Sequence, residues 1–329
     1  MIPLNRRNGQ WLLALVFCVS SDAGLAVEGG FPAYLLGSRE SLAGIVPPAG
    51  TYVGVDAITL SGNITGVSIS GLPIRADTEL DLDILKLNIT QSFNGSLWGG
   101  TPAININIPY IADAELAFTG VVPPLDGVAV RNNASGVGDI TITPLVGWHR
   151  NMFHYSAALS IFAPTGSYSP ASVSINPPNA NVLNVGKDVW SIQPVFSATY
   201  LNTDNGREFS GAASVLFTEK HDQTEYETAP AFTFESAVMQ HLPSGLAVGL
   251  SGYWYQQLGD DSGAGADRAR AAIGADSLEA RSFALGPLIT YSGKIAGRST
   301  SFKFKYYSEF DSERKFESDV YWLNATMVF

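Results

Sequence analysis

Glu317-Ser318-Asp319-Val320-Tyr321-Trp322-Leu323-Asn324-Ala325-Thr326-Met327-Val328-Phe329 closes the chain, and its reading decides the fold. Tyr321, Leu323, Ala325, Met327 and Phe329 share one face of an extended strand; Trp322, Asn324 and Thr326 share the other. One apolar face, one mixed face and a large terminal aromatic suit a transmembrane β-barrel strand, with lipid outside and a lumen inside. Hydrocarbon tolerates no unpaired sheet edge, so the barrel closes by pairing this strand with the first. The partners expected of such a strand are outer-membrane lipids and, through Phe329, the barrel-assembly machinery.

The composition agrees with that environment. The 329 residues are 46% hydrophobic and only 15% charged, against about 25% charged in an average soluble domain. A formal net charge of −11 argues against nucleic acid as a partner. No apolar run is long enough for a helical span. The longest, Trp11–Val19, follows Arg6-Arg7 and precedes Gly24-Leu25-Ala26, the pattern of a secretory signal peptide over residues 1–26. The single cysteine, Cys18, falls inside it, so the exported chain has neither thiol nor disulfide.

Residues 27–50 are rich in Gly and Pro and lack a strand period. Phe31, Tyr34, Leu35, Leu36, Leu42, Ile45 and Val46 make this segment too apolar for a solvated tail and favour a strap folded into the barrel mouth. Residues 51–329 then supply twelve strand-like runs. They are Thr51–Leu60, Leu80–Phe93, Thr101–Pro109, Asp139–His149, Met152–Ala163, Asp188–Tyr200, Arg207–Thr218, Glu227–Gln240, Gly245–Gln257, Glu279–Tyr291, Ser299–Ser308 and Glu317–Phe329. Period-two alternation holds in nearly all. Trp190, Ile192, Pro194, Phe196, Ala198 and Tyr200 oppose Ser191, Gln193, Ser197 and Thr199, and Leu246, Val248, Leu250 and Trp254 oppose Ser251, Tyr253 and Tyr255. In Leu80–Phe93 the apolar parity changes between Ile84 and Leu85, which predicts a bulge there.

Connection lengths separate a barrel from a soluble sandwich. Those after even-numbered runs are short, such as Arg150–Asn151 and His241–Ser244. Those after odd-numbered runs are generally longer, as in Tyr110–Gly138, Pro164–Lys187 and Leu258–Leu278. Short turns at one rim and long loops at the other follow outer-membrane architecture and place both termini at the short-turn rim. Trp148, Phe153, Tyr155, Tyr200, Phe209, Tyr291 and Phe329 would form one interfacial girdle, and Trp190, Trp254, Phe283 and Tyr321 the other.

Parity then directs Asp56, Lys86, Asn88, Asn105, Asn107, His149, His154, Gln193, Glu235, Tyr253, Tyr255, Lys303, Lys305, Tyr307 and Asn324 into the lumen. They would either line a selective constriction or pair with one another to fill a narrow interior. Neither a metal nor a cofactor is called for: Asp260-Asp261 with Asp267 has no EF-hand spacing. A lipid-modifying enzyme would need His beside Ser on the lipid face, yet His149 and His154 project inward, His221 lies in a loop and His241 at a turn. An adhesive or structural barrel would need larger ordered external loops.

Several stretches, in order, resemble the SphA-like family, the outer-membrane proteins named for the MetA-pathway of phenol degradation. They are Glu28-Gly29-Gly30 through Pro47-Pro48-Ala49-Gly50-Thr51-Tyr52; Gly138-Asp139-Ile140 with Gly147-Trp148-His149 and Ala163-Pro164-Thr165-Gly166-Ser167-Tyr168; Trp190 with Pro194; Gly252-Tyr253-Trp254-Tyr255-Gln256-Gln257 before Asp260-Asp261; and Gly286-Pro287 with Lys305-Tyr306-Tyr307 and Glu309. The resemblance spans nearly the whole exported chain. It implies a small barrel, not an enzyme, that passively admits hydrophobic or aromatic compounds. Val121–Gly136 and Leu258–Leu278 look like this chain's own elaborations.

Overall fold

The computed structural model describes residues 29–121 and 124–329; the expected signal peptide lies outside the described residues. Among these, fifteen strands and one helix follow in the order β1 (Gly50–Ile69), β2 (Leu72–Ser92), β3 (Thr101–Thr119), β4 (Ala129–Val137), β5 (Ile140–Arg150), β6 (Phe153–Ala163), β7 (Ser172–Ile175), β8 (Pro178–Asn181), β9 (Ser191–Asn202), β10 (Arg207–Thr218), β11 (Ala231–His241), β12 (Leu246–Gln257), α1 (Gly263–Ile273), β13 (Arg281–Ile295), β14 (Arg298–Glu313) and β15 (Glu317–Val328). The last strand pairs with the first, from Tyr52↔Val328 to Asn63↔Glu317, and β2 pairs with β3, so the antiparallel barrel closes on twelve strands. β4 is the extra strand. It prolongs β5 along β3, which pairs with β5 up to Asn107↔Thr141 and with β4 from Tyr110↔Val137. β7 and β8 form a small separate hairpin.

The wall touches lipid over a belt of outward-facing side chains: Val55, Leu85, Ile192, Phe196, Val238, Leu250, Leu285 and Leu323 are all 46–56% exposed. Exposed large apolar side chains on every flank of a closed sheet have one compatible solvent, the acyl chains of a bilayer. Both aromatic girdles form. At the short-turn rim Phe153, Tyr200 and Phe209 follow one another at 5.2 and 6.2 Å; at the other, Trp254, Phe283 and Phe310 follow at 6.0 and 6.1 Å.

Two features of the sequence reading are corrected. The connection after the first strand is not long: β1 runs on to Ile69 and turns through Ser70 and Gly71, both at positive φ (52° and 85°), a geometry glycine adopts without strain. β14 and β15 likewise meet through only Arg314–Phe316. Sheet standing above the membrane replaces loop at both places. The bulge expected between Ile84 and Leu85 of β2 falls one residue earlier and on the partner strand: the β2–β3 register shifts between Asp83 and Ile84, where Ala112 of β3 is the extra residue. Leu80, Leu82, Ile84, Lys86 and Asn88 all keep to the inner face and Asp81, Asp83 and Leu85 to the outer, while the register against β4 likewise shifts on β3 between Ile111 and Ala114. The environment changes rather than the pleat. Above the bilayer the outer face meets water, where Thr59 and Ser61 donate to Asp83 and Asp81 at 2.6 Å. The inner face there meets an apolar core of Ile64, Ile74, Leu80, Leu116, Phe118 and Val130, covered by Ala180 and Val182 from the β6–β9 connection.

α1 rests against the β1–β2 tip, its loop tied down by a core of Tyr226, Ala266, Ala269 and Leu278. Asp260 and Asp267 both pair with Arg270, at 3.4 and 2.8 Å. Asp261 is 3% exposed and accepts from the Tyr226 hydroxyl; burial pushes its carboxyl up to about 9. An unfolded aspartate titrates near about 4, so this group's contribution to loop stability is full below that pH and is lost as pH rises toward 9. Asp261→Asn is therefore expected to flatten the pH dependence of amide exchange in α1 between those limits and to slow exchange at pH 8. Unaltered pH dependence in the variant would refute this assignment.

Candidate solute path through the barrel

The segment 29–49 threads the lumen from one rim to the other. Gly29 N–H donates to Ser68 at the tip of β1 (2.8 Å), and the Phe31 ring stacks on Phe316 at 5.2 Å. Lower down, Glu235 of β11 collects the Tyr34 hydroxyl (2.9 Å) and the backbone N–H groups of Gly37 (2.7 Å) and Arg39 (2.5 Å). The Arg39 guanidinium donates to Gln193 at 3.1 Å and Ser160 at 2.7 Å. Glu40, fully buried, lies 2.6 Å from Lys303 and 3.3 Å from Lys305. Leu42 N–H donates to Glu208 (2.6 Å) and Gly44 N–H to Thr199 (3.0 Å). At Gly44 the strap presses on the wall, because a Cβ there would stand 2.5 Å from the His154 carbonyl oxygen.

The two ends of the barrel proper meet at the short-turn rim, where Phe329 N–H donates to Thr51 at 2.8 Å. Both barrel ends thus lie at the expected rim, while Gly29, the first described residue of the strap, lies at the long-loop rim. A strap of this length reaches on the order of 65 Å when extended, ample to cross the barrel.

Two cavities remain inside the barrel: the lower lies between the strap and the β2–β3–β5 side of the wall, and the upper reaches from β2 and β3 across to β10, β11 and β12. The upper, about 200 Å³, is walled by apolar residues including Ile69, Leu80, Leu116, Leu216 and Phe316. The lower, about 410 Å³, runs beside Arg39 to Lys86, Asn88, Asn105, Asn107 and Thr141. Both are bordered by Phe31, Pro32, Ala33, Leu82, Ile111 and Lys187, so they adjoin at the strap's first turn. Polarity thus changes along the wall, from apolar at the long-loop end to amide-lined farther down.

The residues assigned to the lumen by parity divide into groups. Lys86, Asn105 and Asn107 line the lower cavity and Tyr255 the upper. Gln193, Glu235, Lys303 and Lys305 are engaged by the strap. Tyr253 and Tyr307 pack with Tyr34 in one cluster, Tyr253 donating to Glu309 at 2.5 Å and Tyr307 accepting from Ser251 at 3.0 Å. Asp56 pairs with Lys86 at 3.6 Å and accepts from Trp322 (2.6 Å), Asn324 (3.0 Å) and Asn88. His149 and His154 sit together at the short-turn rim, Nδ1 to Nδ1 2.8 Å, away from both cavities.

Parity reasoning missed several participants. Glu208 opposes the outward Phe209, and Glu309 continues the inward set of Lys305 and Tyr307 one residue past the predicted strand end, so both were recoverable. Arg39 and Glu40 lie where no period exists to place them. Phe316 and His221 come from loops.

A search of curated proteins finds no match. Among solved structures, an outer membrane channel from Pseudomonas putida F1 superposes with a TM-score of 0.65 at 14% identity, covering 89% of this chain and 98% of that one, which shows the fold. The transport unit of the autotransporter AIDA-I from Escherichia coli aligns at TM-score 0.47 and 8% identity over 90% of this chain and 93% of that one. The translocator domain of NalP from Neisseria meningitidis aligns at 0.45 and 9% over 86% and 90%. A family model described as "Putative MetA-pathway of phenol degradation" matches residues 57–325, nearly the whole barrel, and the chain belongs to that family.

Proposed function

We propose that this protein is a passive outer-membrane channel admitting small hydrophobic or aromatic compounds, with the long-loop rim facing outward. One observation carries the reading: two cavities adjoin at the strap's first turn, the upper walled largely by apolar residues at the long-loop end and the lower bordered by Asn88, Asn105 and Asn107 farther toward the short-turn rim. An apolar entrance removes a hydrophobic solute from water, and weaker, polar surroundings beyond it favour release rather than trapping. The exported chain would reach the membrane by its signal peptide, with Phe329 presented to the assembly machinery.

We assign no catalysis to the barrel. His241 Nε2 lies 2.6 Å from the Glu208 carboxylate, His149 faces His154, and the ring of His221 packs on Tyr168 at 4.5 Å. None of these pairings brings a serine and a histidine together on the lipid face.

The test is flux into proteoliposomes. Monocyclic aromatics should equilibrate faster through the reconstituted protein than through protein-free vesicles, while sugars of similar mass should pass at most slowly. Equal rates for aromatics with and without folded protein would remove the channel reading.

A further inference from the structure

Among the described residues, Arg39, Lys86 and Lys187 border the lower cavity against a single carboxylate, Asp139. Lys86, on the inner face of β2, keeps 12% of its side chain accessible. Asp56 stands 3.6 Å from its ammonium, too far for a hydrogen bond, and accepts instead from Trp322 (2.6 Å), Asn324 (3.0 Å) and Asn88. The Lys86 ammonium thus donates no hydrogen bond among the described residues; its other contact is the Trp322 ring, 4.6 Å away. Arg39, half-buried in the strap, donates to the neutral side chains of Gln193 and Ser160 and lies 4.7 Å from the centre of the Tyr34 ring, with no ion pair among the described residues. It stands close enough to Lys86 for the two charges to repel. Asp139 does not offset them, since its oxygens accept from the backbone N–H groups of Gly166 (2.9 Å) and Lys187 (2.8 Å). The Lys187 ammonium, where the cavities adjoin, donates to the Phe31 carbonyl at 2.6 Å.

We propose that the lower cavity is a binding subsite for the carboxylate of a small apolar acid, whose hydrocarbon part extends into the upper cavity. The proposal rests on the channel reading and narrows its solutes to a charge class. The carboxylate accepts from the Lys86 ammonium and from the Arg39 N–H groups that Gln193 and Ser160 leave unused, and it relieves the repulsion between the two cations. Such charge-assisted hydrogen bonds are roughly twice as strong as neutral ones. The amides beside the cations are committed to the wall and to one another: Asn107 donates to Asn105 at 2.6 Å, and Asn105 to Thr90 at 2.8 Å. A neutral solute leaves both cations unmet, and a cationic one is repelled. At about 410 Å³ the lower cavity holds more than a carboxylate, and water sharing it keeps the ligand partly hydrated and its residence short. The upper cavity, about 200 Å³ and bounded by Ile69, Leu80 and Leu116, suits the apolar remainder.

Binding of 6-fluorohexanoate and of its neutral near-isostere 6-fluorohexanamide can be followed by fluorine NMR on the full protein in non-ionic detergent at neutral pH, where the acid is ionised, with partition into empty micelles subtracted. The wild-type protein should bind the carboxylate roughly tenfold more tightly than the amide, the worth of one hydrogen bond to a charged group. Lys86→Gln and, separately, Arg39→Gln should each erase most of that preference. Heat-modified gel mobility reports whether each variant folds, and protease resistance of residues 29–49 reports whether the strap stays seated. Inorganic phosphate, an anion with no apolar part, should displace the acid poorly. Equal affinity for the two probes in the wild type, a preference that survives both substitutions, or displacement by phosphate as effective as by unlabelled hexanoate overturns the subsite. Flux in proteoliposomes separates the two claims: if neutral aromatics pass while no carboxylate preference exists, the subsite falls and the channel stands, whereas absent flux removes the channel reading on which the subsite rests.

Discussion

Glu40→Ala should loosen the strap by on the order of 3–5 kcal/mol, seen as a rise in single-channel conductance and as new protease cleavage within residues 29–49. The magnitude follows from what the substitution leaves behind. Glu40 is fully buried and lies between two ammonium groups; Lys305 is 1% exposed and, among the described residues, has the Gly37 carbonyl as its one acceptor besides Glu40. Its ammonium also rests 3.6 Å from the centre of the Trp322 ring, a contact that lowers its energy without neutralising it. Removing the carboxylate strands a desolvated cation on the wall. Lys303 has 27% of its side chain exposed and recovers part of its hydration, so Lys305 dominates the loss. The strap gives way before the wall does, because the barrel's ladder of backbone hydrogen bonds is untouched. Pairing the change with Lys305→Met should return conductance and protease resistance most of the way to wild type, as the second substitution removes the charge the first exposed. If Glu40→Ala alone keeps wild-type conductance and cleavage pattern, the ionic cluster is not what seats the strap.

Much of the wall was legible because one physical constraint repeats twelve times. A strand with lipid on one side and a lumen on the other must alternate, so Ile192 and Phe196 versus Gln193 and Ser197 can be assigned without coordinates. That legibility ends where the constraint ends. Above the bilayer the solvent arrangement of β2 inverts, and Leu80, Leu82 and Ile84 turn inward beside outward Asp81 and Asp83. In sequence, an inversion of environment and an inserted residue look alike, since both shift apolar parity by one. The candidate site was less legible for a different reason. Parity tells that Glu235, Gln193, Lys303 and Lys305 face inward, but an inward carboxylate can line water, meet another wall residue or anchor a plug. The strap that chooses between these has no period of its own; Tyr34, Arg39 and Glu40 find their partners 121 to 265 residues away.

Leu250→Arg should destabilise the folded barrel in lipid bilayers by about 2–4 kcal/mol, the cost of an arginine at the bilayer midplane of an outer-membrane barrel. Leu250 is 56% exposed and is flanked on the neighbouring strands by Val238 and Pro287, so no polar neighbour can share the charge. It also stands midway between the girdles. Trp254 lies four residues toward the long-loop rim, and Leu246, paired with Tyr291, four residues toward the other. Eight residues of strand span roughly 26 Å, less once tilted, which leaves an arginine at the centre little scope to snorkel to either surface. Asp83→Arg provides the matched comparison. It introduces the same side chain on the outward face of β2, but at a height where Asp81 and Glu79 are already solvated, so its expected cost is below about 1 kcal/mol. Urea titrations of both variants in vesicles, followed by the gel shift between folded and unfolded forms, give the two costs directly. Equal penalties at the two positions would mean that the outer faces of β2 and β12 share one environment, and the membrane boundary drawn between Asp83 and Leu85 would then be wrong.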